Sequence, residues 1–386
     1  IYPETHRHPA PRRSDRVSDH PTTPDYQWHG RTLPHTVGKR QLLTVVGILV
    51  ILLTGMEIKA RQDNYPVNFP FTADMWAKQW HRLKPQQTVF IGASRMQFGM
   101  IINEWEQQLD ARPLLLAWPG QSPAPVLTEL ANNDSFSGTV LCGVAPSFTF
   151  IAQHVPWQNW MKNNLKGAEI GEVSLSYHMS VTAHGYLRPH VKCLNDAAYS
   201  PVANSYFGFP IPDRKNVLPP IMFRFNATRD DDNQMRFLDV IETSKDRQDL
   251  ILARMETGRR RMLHFGPAPI DSLLGQFTSD VKKIQSRGGQ VIFIRPPSNG
   301  VFRQFEHDNY PRTKYWDKLI EATGCHGVHF EDHPELEELV CVEESHLSKS
   351  DAVLFTQRVI NILVNNGIIE RMQNQSGDSS PAGQGL

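Results

Sequence analysis

The sequence predicts an α/β fold: a three-layer sandwich with a central parallel sheet, preceded by one N-terminal transmembrane helix. Short, almost wholly apolar runs at residues 88–91, 114–117, 139–144 and 290–294 are separated by helix-patterned stretches. Strands apolar on both faces belong to sheets that helices cover on both sides. Each run also ends in turn material: Gly92-Ala93-Ser94-Arg95, Trp118-Pro119-Gly120-Gln121-Ser122-Pro123, Ala145-Pro146-Ser147 and Arg295-Pro296-Pro297. The helix-like stretch 277–287 before the last of these strands stops at Gly288-Gly289, and a glycine just past a helix is a common terminator.

The anchor rests on residues 42–56, an uncharged stretch that stands out in a chain whose mean hydropathy is −0.41. At about 1.5 Å per residue it falls short of a hydrocarbon core of about 30 Å, so Gln41 and Ile58 extend it and Lys39, Arg40 and Lys59 snorkel at its ends. About forty residues precede it, too many for the n-region of a cleaved signal peptide, and no clean small-x-small site follows. An uncleaved signal anchor over 39–58 is therefore expected. Arg7, Arg12, Arg13, Arg16, Arg31, Lys39 and Arg40 put the leader in the cytoplasm by the positive-inside rule and the body outside, in the periplasm or beyond the cell. The leader, 1–38, is rich in Pro, His, Ser and Thr and poor in large apolar residues, so it is expected to be disordered. So is the Ser-, Gly- and Gln-rich tail 371–386.

Between these ends the sequence predicts a connector, 59–85, and one domain, 86–370. Residues 151–265 are less regular, dense in aromatics and prolines, and read as an insertion that is either a substrate lobe or lid or a plain structural excursion. Its histidines, His154, His178, His184 and His190, lack a convincing metal spacing, and no metal site is expected. Overall, 40 Lys and Arg balance 40 Asp and Glu, which gives no footprint for nucleic acid. The run Arg259, Arg260, Arg261 reads as a solvated helix end. Cys142, Cys193, Cys325 and Cys341 have no paired C-x-x-C spacing for structural zinc. Outside the cytoplasm Cys325 and Cys341 are able to close a loop as a disulfide, which spacing alone does not establish.

In a parallel sheet, sites form at the carboxyl ends of strands. Ser94, Gly120 and Ser147 each fall just past a predicted strand and so converge there. A serine between strand and helix presents its hydroxyl at the sheet edge, with its own N–H toward a developing oxyanion. Far along the chain, Glu343-Glu344-Ser345-His346-Leu347-Ser348 precedes an amphipathic pattern carried by Ala352, Phe355, Val359, Ile362 and Leu363. A carboxylate three positions before His346 can reach back to its Nδ1–H and hold the tautomer whose Nε2 accepts the serine proton. The expected catalytic set is Ser94, Glu343 and His346, with Glu344 and Asp332 as reserve acids.

These blocks resemble the SGNH (GDSL-type) hydrolase superfamily. Gly92-Ala93-Ser94 is similar to its Gly-Asp-Ser turn and Glu343-x-x-His346 to its Asp-x-x-His block, with Leu347 and the helix opening near Asp351-Ala352 also alike. The resemblance covers residues 86–366 outside the insertion. It implies an SGNH or flavodoxin-like sheet and makes Gly120 an oxyanion-hole donor. Val144-Ala145-Pro146-Ser147 stands where the family has Gly-x-Asn, with Ser147 a candidate for the asparagine's part, and Glu343 replaces aspartate. The first of these looks more like the membrane-anchored branch represented by the teichoic-acid D-alanyl transfer protein and the alginate O-acetylation proteins. The resemblance therefore implies a serine acyltransferase or esterase, without cofactor, acting on O-acyl groups of a cell-surface or secreted glycan beside a membrane-bound O-acyltransferase. The alternative is a catalytically degenerate SGNH domain that binds glycan or scaffolds such an acyltransferase.

Overall fold

The computed structural model describes residues 38–69, 72–151, 159–171, 174–195 and 226–371. The expected leader up to residue 37, the tail from Met372 and His154 lie outside the described residues. Seven strands are present among them: β1 (Val89–Ile91), β2 (Leu114–Leu115), β3 (Thr139–Gly143), β4 (Ala227–Arg229), β5 (Met235–Phe237), β6 (Gln290–Arg295) and β7 (His326–His329). Five form one sheet in the order β2-β1-β3-β6-β7, with every neighbouring pair parallel. The fold is thus α/β around a central parallel sheet, as expected.

Alternation along the strands divides the core in two. Val89, Ile91, Val140, Cys142, Val291 and Phe293 face one way, into a cluster with residues of helices Ala124–Asn132 and Ile270–Ser286. Phe90, Leu115, Leu141, Ile292, Ile294 and Val328 face the other way, against helices Ile102–Leu109 and Lys349–Asn365. The second of these buries Ala352, Phe355, Val359, Ile362 and Leu363, the stripe read from the sequence. Its start is fixed by Ser348, whose Oγ accepts the Asp351 N–H at 3.1 Å.

This division corrects the disulfide expectation. Cys325 packs in the first cluster, near Cys142, and Cys341 in the second, so the sheet separates them. Both thiols are free and buried. The run 114–117 gives only a two-residue strand, but its pairing continues beyond, with Leu116 N–H bonded to Phe90 O and Trp118 N–H to Gly92 O.

The stretch expected as an irregular insertion holds the helices Asn159–Gly171, Leu175–His190 and Lys245–Phe265 and an antiparallel β4–β5 hairpin. The basic run is not a uniformly solvated helix end. Arg260 is exposed, whereas Arg259 is buried over the Phe302 ring and bonded to Glu256.

The chain divides into two units between Thr54 and Gly55. A continuous helix, Lys39–Gln62, carries the apolar stretch, and large side chains from Leu42 to Leu53 are exposed. A helix apolar on every side suits a hydrocarbon environment. Its 24 residues, about 36 Å, make it long and apolar enough to cross a membrane.

Candidate active site

The order of the sheet reverses at β1: the chain runs from β1 out to β2, then returns to β3 on the other side. Such a switch leaves a crevice at the carboxyl ends of β1 and β3. Ser94 follows β1, Gly120 follows β2 and Ser147 follows β3.

Glycine is required at the β1 exit. Gly92 has φ +138°, and a Cβ there would sit 2.8 Å from Met96 Cγ and 3.0 Å from Gly143 O. Gly143 is constrained from the other side, since its Cβ would lie 2.1 Å from the same Met96 atom. The two glycines let Met96 pack down on the strand ends and draw the helix Ser94–Gly99 onto the sheet. Ser94 opens that helix with Ala93 extended before it.

His346 arrives on a tight turn. Val342 N–H bonds to His346 O at 2.8 Å, and Cys341 and Leu347 form a bridge around the turn. At its apex Glu344 adopts a left-handed conformation, φ +66°. The turn brings Glu343 back onto His346: one carboxylate oxygen accepts the His346 backbone N–H at 3.1 Å and the other bonds to the ring Nδ1. His346 Nε2 lies 2.7 Å from Ser94 Oγ. All three side chains are buried. A carboxylate only accepts hydrogen bonds, so Nδ1 carries the imidazole proton and Nε2 is left to accept from the serine. The three residues expected from the sequence therefore form one chain of hydrogen bonds.

The reserve acids are engaged elsewhere. Glu344 accepts the Phe302 N–H at 3.1 Å at the start of the helix Gly300–Asn309. Its carboxylate fills the space beside Gly300, where a Cβ would meet it at 2.3 Å. Asp332 takes both arms of Arg312, at 2.6 and 2.9 Å.

Gly120 has φ +68° in the turn after β2. A Cβ on it would come within 3.7 Å of Phe148, so this turn and the turn after β3 abut. Next to it Gln121 is buried, and its Oε1 accepts the Met161 N–H. Ser147 is wholly buried, and its hydroxyl has no hydrogen-bond partner among the described residues. Leaving a buried hydroxyl unsatisfied costs roughly 1–3 kcal/mol, so its retention calls for a role.

Several supporting residues carried no motif. The imidazole of His346 packs against Phe98, with ring centres 4.7 Å apart, and against Phe237 of the β4–β5 hairpin, at 6.1 Å, and the two phenylalanines touch each other at 4.7 Å. The inserted stretch thus supplies one wall of the site. Arg95, next to Ser94, links the two segments that carry Ser94 and His346: its Nε donates to Ser345 Oγ at 3.2 Å and its Nη1 reaches Glu306. Arg295 and Ser298 also bond to Glu306, at 2.6 and 2.8 Å. Burial opposes ionisation of Glu306, but the two guanidiniums prevail and hold its carboxyl below the usual range. The only signal in the sequence was Arg295 itself, a charge closing an otherwise apolar strand.

A separate open groove of about 850 Å³ lies by the amino ends of β1 to β3, lined by Arg82, Lys84, Arg112 and Asp232 among others. It is at the opposite edge of the sheet from Ser94. Arg82 and Arg112 are already paired with the carboxylates of Asp231, Asp232 and Glu106. No protein-family model matches the chain, and no curated protein matches it.

Proposed function

We propose that the chain is a membrane-anchored, extracytoplasmic serine acyltransferase or esterase of the SGNH type, acting on O-acyl groups of a cell-surface or secreted glycan. The observation that carries this reading is the hydrogen-bonded set Ser94–His346–Glu343, with Nε2 2.7 Å from the serine oxygen. Serine at its free pKa is a poor nucleophile, and a positioned imidazole is the usual means of activating it.

On this reading the steps run through the hydrogen-bonded set. As Ser94 Oγ attacks the ester carbonyl, its proton passes to His346 Nε2, and Glu343 stabilises the imidazolium. The tetrahedral adduct collapses by breaking the bond to the leaving alcohol, which takes the proton from Nε2, and leaves an acyl group on Ser94. A glycan hydroxyl or a water then gives its proton to Nε2 and attacks the acyl carbonyl. Ser94 Oγ departs with that proton. The N–H groups of Ser94 and Gly120 stabilise the oxyanion in both halves, and the buried Ser147 hydroxyl is the third donor in place of asparagine.

Several further observations support the reading. Ser94 follows a strand on a sheet whose order reverses beside it, and the one helix among the described residues that is long and apolar enough to cross a membrane fits an anchored branch whose basic leader stays inside. A membrane-bound O-acyltransferase is the partner that would supply the acyl group. The scaffold alternative loses ground because a degenerate domain has no need to keep a buried, fully connected triad.

A fluorophosphonate probe tests the reading on the full chain in detergent. Labelling should occur on wild type and vanish in Ser94→Ala. Equal labelling of both proteins, or none of either while a 4-nitrophenyl acetate assay also stays at background, would exclude a serine acyl enzyme. Release of free acid without a glycan acceptor would favour hydrolysis over transfer.

A further inference from the structure

Among the described residues, the helix Leu175–His190 is packed on one side only. Tyr177, Val181, His184 and Arg188 recur at helical spacing on its inner face. Tyr177 joins the core cluster, and its hydroxyl bonds to His81 Nδ1 at 2.9 Å. The opposite line is exposed: Leu175 is 74%, Met179 65% and Tyr186 69% accessible. At 100° per residue these three fall within about 40° of one another, directly across from the buried line. Ser176, His178, Thr182, Ala183, Leu187, Pro189 and His190 complete the outer face. The helix has one permanent charge, on Arg188, and that side chain is buried.

An exposed helix face of this length without a carboxylate or lysine is unusual on a body in water. The helix Lys245–Phe265 of the same body shows the ordinary pattern, with a charge at nearly every turn. Beyond this helix and the apolar helix Lys39–Gln62, the other exposed large apolar side chains, such as Val240, Val301 and Val340, are at least ten positions apart in the sequence, as scattered surface residues are.

What covers this face is indicated by its attachment. The segment 190–193 at its carboxyl end is hydrogen-bonded to the last turns of the helix Lys39–Gln62. Arg61 Nη2 donates to His190 O at 3.1 Å, and Glu57 accepts the N–H groups of Lys192 and Cys193 at 3.1 and 2.9 Å. Lys192 Nζ closes the socket on Tyr65 O at 3.0 Å. Glu57 and Arg61 are the first charged residues after the apolar run apart from Lys59, so they mark where that run meets water. An amphipathic helix with tyrosine among its apolar residues suits this boundary between headgroups and acyl chains.

We infer that the helix Leu175–His190 lies on the outer membrane–water boundary with Leu175, Met179 and Tyr186 in contact with lipid, giving the body a second membrane attachment beside its anchor. This rests on the reading of Lys39–Gln62 as a membrane span. The span confines the body to the surface, so the helix needs no cationic face to recruit anionic lipid.

The test uses the full chain reconstituted in phosphatidylcholine vesicles with no other protein present. The four native cysteines are buried, so a polarity-sensitive fluorophore can be attached separately at Met179→Cys, Tyr186→Cys, Val50→Cys and Asp249→Cys. Lipids with chain-brominated quenchers should suppress emission at 50, 179 and 186 but not at 249, and aqueous iodide should do the reverse. Adding Leu175→Glu to the Met179→Cys protein should restore iodide access at 179. If 50 is quenched by lipid while 179 and 186 respond to iodide as 249 does, the face is open to water or to a protein partner and the inference is wrong. If 50 is not quenched by lipid either, the span and the inference fall together.

Discussion

His346 Nε2 and Ser94 Oγ lie 2.7 Å apart although 252 positions separate them in the chain. The sheet brings them together: β1 delivers the serine, and the turn after the last strand delivers the imidazole. Each is held by its own surroundings, Gly92 and Gly143 beneath Met96 on one side and the Val342–His346 turn on the other.

Ser94→Ala and His346→Ala should each lower acyl turnover by about a thousandfold or more, and the double variant should be no worse than either, because the two act as one unit. Glu343→Ala should be milder by about one to two orders of magnitude. Steady-state release of 4-nitrophenol, with circular dichroism as the check on folding, gives the comparison. Additive losses would mean that the serine and histidine act separately.

Glu344 distinguishes proximity in sequence from a part in the chemistry. Its carboxylate satisfies the first turn of the helix Gly300–Asn309 through Phe302 N–H. Glu344→Ala should therefore cost about 1 kcal/mol of stability, the usual cost of losing a cap, and leave turnover near wild type. Urea midpoints and rates measured on the same preparation decide it, and a collapse of rate at unchanged stability would move the acid's role to Glu344.

Much of this was legible because it depends on short local patterns. The strands β1, β3 and β6 are almost wholly apolar and end in glycine or proline, and the stripe Ala352, Phe355, Val359 announces the helix after the base. The edge strand β7 was not legible. His326-Gly327-Val328-His329 has one large apolar side chain, and its pairing to Ile292 and Ile294 depends on contacts made by a distant segment. The same reason hid the wall formed by Phe237 and the Arg95–Glu306–Arg295 group, whose members are scattered and become neighbours only in the fold. The disulfide expectation failed because sequence spacing says nothing about which side of a sheet a thiol occupies.

The cysteines provide a direct check on that point. With Cys325 and Cys341 on opposite faces, thermal unfolding should be the same with and without reductant, and Cys325→Ser should remove no redox-dependent stability. Alkylation after unfolding in denaturant without reductant should find four thiols, matching the four cysteines of the sequence. Two thiols would reveal a bridge.

Glu306 is buried between Arg95 and Arg295, so removing its charge leaves two guanidiniums without a counter-ion. Glu306→Gln should destabilise by about 3–5 kcal/mol, the range for breaking a buried pair from one side. Arg95→Met should cost less, because Arg295 still neutralises Glu306, but it also frees Ser345 beside His346. Its turnover number should fall with little change in KM. In a double-mutant cycle the two losses should not add. Additivity, or a change confined to KM, would remove Arg95 as the link between the nucleophile and base segments.

His329 gives the site's surroundings a pH dependence of their own. Burial, reinforced by the charges of Arg295, Arg312 and Arg303, drives its pKa down to about 2 from an ordinary 6.5. Its Nδ1 accepts the Glu331 N–H at 3.2 Å, and its ring packs against Phe330 and Trp316. Protonation would cost that hydrogen bond and place a cation beside three others, although Glu331 lies close enough to offset part of this. The folded protein thus keeps the imidazole neutral while the unfolded chain binds a proton below about pH 6.5. The unfolded state holds more protons across this window, so the contribution to stability is present above pH 6.5 and declines as the pH falls toward 2, by up to about 1.4 kcal/mol per unit. His184, lowered to about 4 chiefly by burial and then by Arg188, acts in the same direction over a narrower range. Comparing His329→Asn with wild type isolates the His329 part, because asparagine can still accept the Glu331 N–H. Urea unfolding between pH 7.5 and 4.5 should show the variant losing less stability than wild type as the pH drops, with the two curves parallel above pH 7. Curves that stay parallel throughout would mean that His329 takes up its proton in the folded protein as readily as in the unfolded chain.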